Sequence, residues 1–280
     1  MHPLITAEEL SLLLASDSPD DAPVRVLDVR YRLDRPDGHP EYLDGHVPGA
    51  VYVDLDGELA HVGRPEDGRH PVPSLEDLQG AARGWGVDDA DTIVVYDDWN
   101  SMGAARAWWL LTGAGVSDVR VLDGGYRAWT GAGLPVATGD QRPGPGSVTL
   151  HERTAGAASI DDAAAWPDHG VLLDVRSPER FRGENEPLDP LAGHIPGAVN
   201  LPSLVHLADG RFRDAAALRA AFESVGARPG VDVAAYCGSG ITAAHTALAG
   251  ALAGIDVTVY PGSWSQWSNT PGRPVATGPE

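Results

Sequence analysis

The chain of 280 residues carries 40 acidic side chains against 20 basic ones, a formal net charge of −20, and a single cysteine. That length suits two domains of ordinary size, and an acidic surface with no basic run argues against nucleic acid or anionic membrane as a partner. No stretch approaches the ~18 consecutive apolar residues of a membrane span, the start Met1–Thr6 lacks the basic and apolar runs of a leader, and a lone cysteine without zinc-like His/Cys spacing suits a metal-free, cofactor-free protein of the reducing cytoplasm.

From Thr6 to Ala15 an amphipathic helix is expected, with Thr6 as N-cap and Glu8 and Glu9 in the first turn. Val24–Arg30 reads as a strand, followed by a polar, proline-rich loop from Leu33 to Tyr42 and the segment Gly45–Val51 with a strand-like tail to Leu55. After a loop containing Gly68-Arg69-His70-Pro71 come a helix over Ser74–Trp85, the apolar strand Thr92–Tyr96, the pair Asp97-Asp98 and a helix over Ala104–Gly113. A strand over Val119–Leu122, the turn Asp123-Gly124-Gly125 and a helix holding Trp129 complete this half. Strands alternating with helices predict an α/β domain with a mostly parallel sheet.

The second half repeats the first in the same order. Leu173-Asp174-Val175-Arg176 copies Leu27-Asp28-Val29-Arg30, and Gly193-His194-Ile195-Pro196-Gly197-Ala198 copies Gly45-His46-Val47-Pro48-Gly49-Ala50. Tyr236-Cys237 stands where the first half has Tyr96-Asp97, and Gly262–Trp267 matches Gly124–Trp129. The joint falls in a Pro- and Gly-rich stretch, so the expected organisation is an N-terminal domain over 1–139, a linker over 140–147 and a C-terminal domain over 148–280. Asp97 cannot replace a thiolate as a sulfur nucleophile, so the first domain is expected to be catalytically silent.

Cys237 sits between an apolar strand, Val231–Tyr236, and a helix reading from Ala243 to Ala253. Gly238 and Gly240 let that turn point successive N–H groups inward, and the helix adds its unpaired N-terminal donors. Such a cradle stabilises an anion, which makes a thiol held there a nucleophile. Ligands gather at the carboxyl ends of strands in open parallel sheets, and a cleft between the halves is a further reasonable place for substrate.

On these residues the chain resembles the tandem-domain rhodanese family of sulfurtransferases, through Leu-Asp-Val-Arg and Gly-His-[Val/Ile]-Pro-Gly-Ala in both halves and Cys237-Gly238-Ser239-Gly240-Ile241-Thr242 in the second. The resemblance implies two rhodanese-like domains and a reaction in which an anionic donor leaves sulfur on Cys237 as a persulfide, which a thiophilic acceptor such as cyanide, a thiol or a thioredoxin-like protein removes. The loop looks most like that of 3-mercaptopyruvate sulfurtransferases; thiosulfate-preferring members carry two cationic residues where this chain has Gly238 and Ser239. The resemblance casts Cys237 and Ser239 as catalytic, and Gly238, Gly240, Ile241 and Thr242 as the persulfide cradle. Arg180 is the expected donor-binding guanidinium, able to grip a carboxylate bidentately. Animal mercaptopyruvate enzymes carry a second arginine where this chain runs Glu184–Pro190, so half of that clamp is missing unless Arg182 or a first-domain arginine substitutes.

His46 and His194 occur in both copies, which favours a structural role, although His46 is also a candidate for lining the site from the first domain. Asp28 and Asp174 are expected to anchor loops, Arg30, Tyr31 and Arg32 are candidates for lining the cleft, and the resemblance implies a proton relay from Ser239 to a first-domain carboxylate, for which Asp34 and Asp37 both lie in the right loop. Thiosulfate is the alternative donor. A cysteine-dependent phosphatase is disfavoured because the sixth residue after Cys237 is Ala243 rather than arginine, and a non-catalytic scaffold because the thiol loop is intact.

Overall fold

A computed structural model describes residues 2–16, 22–153 and 156–279. The chain divides into two compact units, Met1–His61 with Pro73–Thr154, and Val62–Val72 with Ala155–Glu280.

The first unit contains β1 (Leu4–Ile5), α1 (Ala7–Leu14), β2 (Val24–Asp28), α2 (His39–Asp44), β3 (Val51–Tyr52), α3 (Leu55–Glu58), α4 (Leu75–Gly84), β4 (Thr92–Tyr96), α5 (Met102–Gly113), β5 (Val119–Leu122) and α6 (Gly125–Gly131). Its five strands are parallel in the order β1-β5-β4-β2-β3. The mostly apolar β4 lies inside the sheet, buried along its whole length, as its Thr-Ile-Val-Val-Tyr sequence favours. α1 begins on the capping box that Thr6 and Glu9 form reciprocally.

The second unit follows with α7 (Ile160–Ala165), β6 (Val171–Asp174), α8 (Pro178–Arg182), β7 (Val199–Asn200), β8 (Leu207–Ala208), β9 (Arg211–Phe212), α9 (Ala215–Glu223), β10 (Val233–Tyr236), α10 (Ile241–Ala253), β11 (Val257–Val259) and α11 (Ser263–Asn269). Four strands run parallel in the order β11-β10-β6-β7, and β8 and β9 form a separate antiparallel hairpin. Tyr236, Tyr260, Trp264 and Trp267 dominate one face of its core. The α/β class with two parallel sheets is as the repeat implies.

Three differences from the sequence reading have physical causes. The proline-rich stretch after Leu33 ends in α2, because Pro40 stands early in the helix, where its missing N–H costs nothing. The strand after Ala50 stops at Tyr52, where Asp54 caps α3 by accepting from the Asp56 N–H. The expected linker 140–147 and the first residues of the expected C-terminal domain, 148–153, both pack on the first unit: Gly146 and Val148 N–H bond the carbonyls of Arg83 and Val87, His151 N–H bonds that of Ala114, and Val148 and Leu150 are buried. This stretch therefore straps onto the first unit, while Val62–Val72 from the first half of the sequence belongs with the second unit.

Inside the second unit four rings stack in series: Phe222 on His206 at 5.0 Å, His206 on His245 at 6.1 Å and His245 on Phe212 at 4.7 Å. Both imidazoles are fully buried, and none of their nitrogens has a hydrogen-bond partner among the described residues. Burial lowers the His206 pKa from its ordinary value to about 4 and pushes that of His245 well down. His206 depressed in the folded state contributes stability that is complete above the unfolded value of about 6.5 and is lost as pH falls through about 4, by up to ~3 kcal/mol. Urea unfolding should accordingly show wild type losing roughly 2–3 kcal/mol of stability relative to His206→Leu between about pH 7.5 and about pH 4; a pH-independent difference contradicts this account.

Candidate active site

β10 delivers Cys237 to the carboxyl end of an interior strand, where it is the single cysteine of the chain, 3% exposed. The turn beyond it closes because Gly240 takes φ +85°, and the Gly240 N–H donates to Cys237 Sγ at 3.1 Å. An N–H aimed at sulfur is accepted more strongly by a thiolate than by a thiol. A Cβ on Gly240 would lie 2.3 Å from the Pro261 carbonyl oxygen, so this position needs glycine for space as well as for its dihedral. Ile241 is the first, buried residue of α10, and the Thr242 carbonyl accepts from Thr246 Oγ1 at 3.4 Å.

The start of α11 holds the other side of the turn. Trp264 and Ser265 N–H donate to the carbonyls of Cys237 and Gly238 at 3.0 and 2.8 Å. Ser263 is a non-glycine residue at φ +55°, and its hydroxyl accepts from the Cys237 N–H at 3.0 Å, donates to the Tyr260 carbonyl at 2.9 Å and lies 3.9 Å from Sγ. Three contacts hold its backbone in the left-handed region, at a typical cost of about 1–3 kcal/mol. The first unit has Gly125 at the equivalent place, φ +57°.

Ser239 is buried, and its Oγ lies 2.7 Å from His70 Nδ1. His70 comes from the segment 62–72 that folds onto this unit. A 3-10 turn, Pro65–Asp67, is followed by Gly68 at φ +89°, where a Cβ would stand 2.9 Å from the Gly262 carbonyl oxygen; the next N–H, of Arg69, donates to Ser265 Oγ at 3.0 Å. The segment is thereby pinned to the start of α11 and presents His70 to the loop. The partner of Ser239 is thus an imidazole rather than the carboxylate expected from Asp34 or Asp37; Asp37 instead accepts from the His39 N–H in its own loop at 3.0 Å.

Arg180, on α8, comes to the loop: its Nη1 lies 3.3 Å from where a Cβ on Gly238 would stand. The bidentate fork expected to hold a donor is occupied, since Nε and Nη2 close on Glu186 at 3.1 and 2.7 Å and Nη2 also reaches Asp189 at 3.3 Å. Nη1 is what remains for a ligand, and the absence of a side chain on Gly238 keeps it accessible. Arg182 does not join this group; its Nε and Nη2 close on Glu184 at 2.7 and 2.8 Å.

His46 is fully buried in the first unit, with Nδ1 2.9 Å from the Tyr42 carbonyl oxygen and its ring stacked on Tyr42 at 4.2 Å. His194 repeats this on Phe181, at 2.8 Å to the carbonyl and 3.8 Å between rings. Both have the geometry of turn anchors. Asp28 and Asp174 are likewise anchors, each clamping an arginine two residues on, at 2.7 and 2.6 Å. Arg30 is therefore spent on Asp28, and Arg32 pairs with Asp98.

In the first unit the position of Cys237 is taken by Asp97, whose carboxylate accepts the N–H groups of Trp99, Ser101 and Ala104 at 2.8, 2.9 and 2.9 Å. The chain's own anion fills this turn. Burial pushes the Asp97 pKa up to about 6 against the downward pull of those donors. Among the described residues no group of three His, Cys, Asp or Glu side chains is arranged to hold a metal ion.

The residues that sequence reasoning missed are His70, Arg69, Ser263, Glu186 and Asp189. A signal was present for Ser263, as the one departure from glycine in the matched Gly124–Trp129 and Gly262–Trp267 segments.

Comparison with known proteins places these features in context. The Rhodanese-like domain matches residues 6–132 and again 158–270. SseB of Mycobacterium tuberculosis, which bears a provisional thiosulfate sulfurtransferase name, is 48% identical over 279 residues, 98% of this chain and 97% of its own. A protein of Pseudomonas aeruginosa provisionally named 3-mercaptopyruvate sulfurtransferase is 41% identical over 285 residues, 98% of each chain. The crystal structure of SseA from Escherichia coli, described as showing the rhodanese fold of 3-mercaptopyruvate sulfotransferases, superposes with a TM-score of 0.83 at 30% identity, over 94% of this chain and 99% of that one.

If Gly240 sets the loop, Gly240→Ala should lower stability by about 1–3 kcal/mol and abolish sulfur loading of Cys237; a thermal melt and intact-mass spectrometry after donor treatment check both, and a fully active, equally stable variant would contradict the close approach to Pro261.

Proposed function

Since the chain belongs to the rhodanese family, as a tandem pair of Rhodanese-like domains, and is a sulfurtransferase, we propose that it takes sulfur from 3-mercaptopyruvate as a persulfide on Cys237 and passes it to a thiophilic acceptor. The observation that carries the donor choice is the 2.7 Å contact between Ser239 Oγ and His70 Nδ1 beside the thiol. In the first half-reaction the Cys237 thiolate attacks the donor sulfur, an S–S bond forms, and the C–S electrons leave as the enolate of pyruvate. That carbon must receive a proton, and the donor's S–H must lose one. A buried hydroxyl backed by an imidazole is suited to carrying it. Sulfite leaving from thiosulfate needs no such transfer, so the relay favours a carbon-bound sulfur.

The persulfide anion then sits where Gly240 N–H already points at sulfur, with Gly238, Ile241 and Thr242 completing the turn. Cyanide or a thiolate attacks the outer sulfur, the S–S bond breaks, and Cys237 is returned as thiolate; a thioredoxin-like protein is one such thiol. Arg180, through Nη1, is the proposed contact for the donor carboxylate. The first domain is catalytically silent, a reading supported by the Asp97 carboxylate filling its turn. A single cysteine, free of any disulfide, suits the reducing cytoplasm, where we place the reaction.

Treatment with 3-mercaptopyruvate should add about 32 Da to the wild-type chain and nothing to Cys237→Ser, whose turnover with every donor should vanish; an adduct on the serine variant removes Cys237 from the reaction. With cyanide as common acceptor, kcat/KM should be higher for 3-mercaptopyruvate than for thiosulfate, and the reverse order would sink the relay argument. His70→Ala should lower kcat with 3-mercaptopyruvate by roughly 10²-fold or more while changing thiosulfate turnover only severalfold. Equal losses with the two donors would make His70 a structural support instead.

A further inference from the structure

Beside the thiol loop, five side chains form an alternating series of charge: Arg176, Glu186, Arg180, Asp189 and Arg69. Arg176 Nη1 bonds Glu186 Oε2 at 3.2 Å. Arg180 shares its Nε and Nη2 between Glu186 and Asp189. Arg69 closes the series, with Nη1 and Nη2 on the two oxygens of Asp189 at 3.2 and 3.1 Å. The Glu186 and Asp189 side chains are only 2% and 1% exposed, whereas Arg180 and Arg69 keep 17% and 29%. Carboxylates so enclosed depend on neighbouring guanidiniums rather than on water for compensation. Arg176 has no charge to spare, being clamped on Asp174 at 2.6 Å.

The geometry points to Arg69 as a specificity-determining residue for the sulfur donor: by neutralising Asp189 it keeps Arg180 available as a cation to an anionic donor at Cys237. The inference rests on the donor reading above and adds the charge class that the site selects. With Arg69 in place, three guanidiniums face three carboxylates, Asp174, Glu186 and Asp189. Without it, one negative charge is left in excess next to a loop that has to receive an anion, and Arg180 becomes the sole guanidinium on Asp189 while still shared with Glu186. A balanced site with a single free Nη1 suits a monoanion. A dianion, attracted or repelled twice as strongly, is the more sensitive probe of that balance.

Arg69 is placed for this role by the same segment that presents His70. Its backbone N–H is fixed on Ser265 Oγ, and a Cβ on Gly68 would stand 2.9 Å from the Gly262 carbonyl oxygen, so the residue is held at its backbone by this approach and at its guanidinium by Asp189. It is a positioning residue, acting through Asp189 and Arg180.

The test is steady-state kinetics with 3-mercaptopyruvate and thiosulfate, using cyanide as acceptor, on wild type, Arg69→Ala, Arg69→Lys and the double variant Arg69→Ala/Asp189→Asn, with circular dichroism and a thermal melt on each. Arg69→Ala should raise KM for 3-mercaptopyruvate by roughly tenfold and that for thiosulfate by more, the loss falling on KM rather than kcat. Arg69→Lys, which keeps the charge, and the double variant, which removes both charges, should each return KM to within about threefold of wild type. Rescue by lysine without rescue by Asp189→Asn would overturn the charge-balance role in favour of direct contact, and an unchanged KM in Arg69→Ala would overturn it outright. Should Arg69→Ala not fold, the lysine and double variants still decide, since either one failing to approach wild-type KM contradicts the inference. Failure of the underlying donor reading is distinguishable, because it shows in wild type as no sulfur adduct from 3-mercaptopyruvate.

Discussion

The hydrogen bond from the Gly240 N–H to Cys237 Sγ depends on one backbone dihedral, and much of the second unit is arranged to hold it. A left-handed residue is needed to turn the chain from β10 into α10 quickly enough for its own amide to face back at the sulfur. The Pro261 carbonyl lies directly behind that residue, so the β11 to α11 connection has to approach closely. In return, α11 gives two N–H groups to the carbonyls of Cys237 and Gly238. Strand end, turn and two helix starts thus form one unit around the sulfur.

The first unit shows what the same frame does without a thiol. Tyr126 N–H bonds the Asp97 carbonyl as Trp264 N–H bonds that of Cys237. Tyr96 OH receives the Val47 N–H as Tyr236 OH receives the Ile195 N–H. Arg30 and Arg176 each join a strand-end aspartate to the carbonyl of Gly45 or Gly193. What differs is the anion. Asp97 brings its own carboxylate into the turn, accepting three N–H groups, whereas Cys237 presents a sulfur that takes the Gly240 N–H and that, in the proposed reaction, carries the transferred sulfur.

This division explains which parts were legible in the sequence. Elements and motifs that serve the shared frame occur twice in the same order, so Asp28, Asp174 and His194 were readable as architecture and Cys237 as the departure from it, whereas Arg30 and His46, read as candidates for lining the site, are held by Asp28 and by the Tyr42 carbonyl. Short strands such as β1 and β7, of two residues each, carry too little pattern to be seen. The partners of the thiol were hidden for a different reason. His70 lies 169 positions from Ser239, in a proline- and glycine-rich stretch that reads only as loop, and no periodicity records which unit such a segment will join. Glu186 and Asp189 were visible only as places where a cation was missing. Their carboxylates become informative once Arg69 and Arg180 are seen to share them.

Net charge and site charge are separate constraints here. A chain at −20 offers an anionic donor no long-range attraction, and at physiological ionic strength fields from distant carboxylates fade within roughly 8 Å. Binding therefore depends on the few groups within contact distance. Closing the Arg180 fork on Glu186 removes its rotational freedom before any donor arrives, so that Nη1 is already aimed at the space over Gly238. The cost is that a bidentate grip is given up, and in the proposed reaction recognition falls to the Nη1 amino group together with the amides at the start of α10. On that proposal a small carboxylate is held at one end with its sulfur beside Cys237, an arrangement that gains orientation at the expense of raw affinity, which is the better use of limited contacts when the bound molecule must react rather than remain.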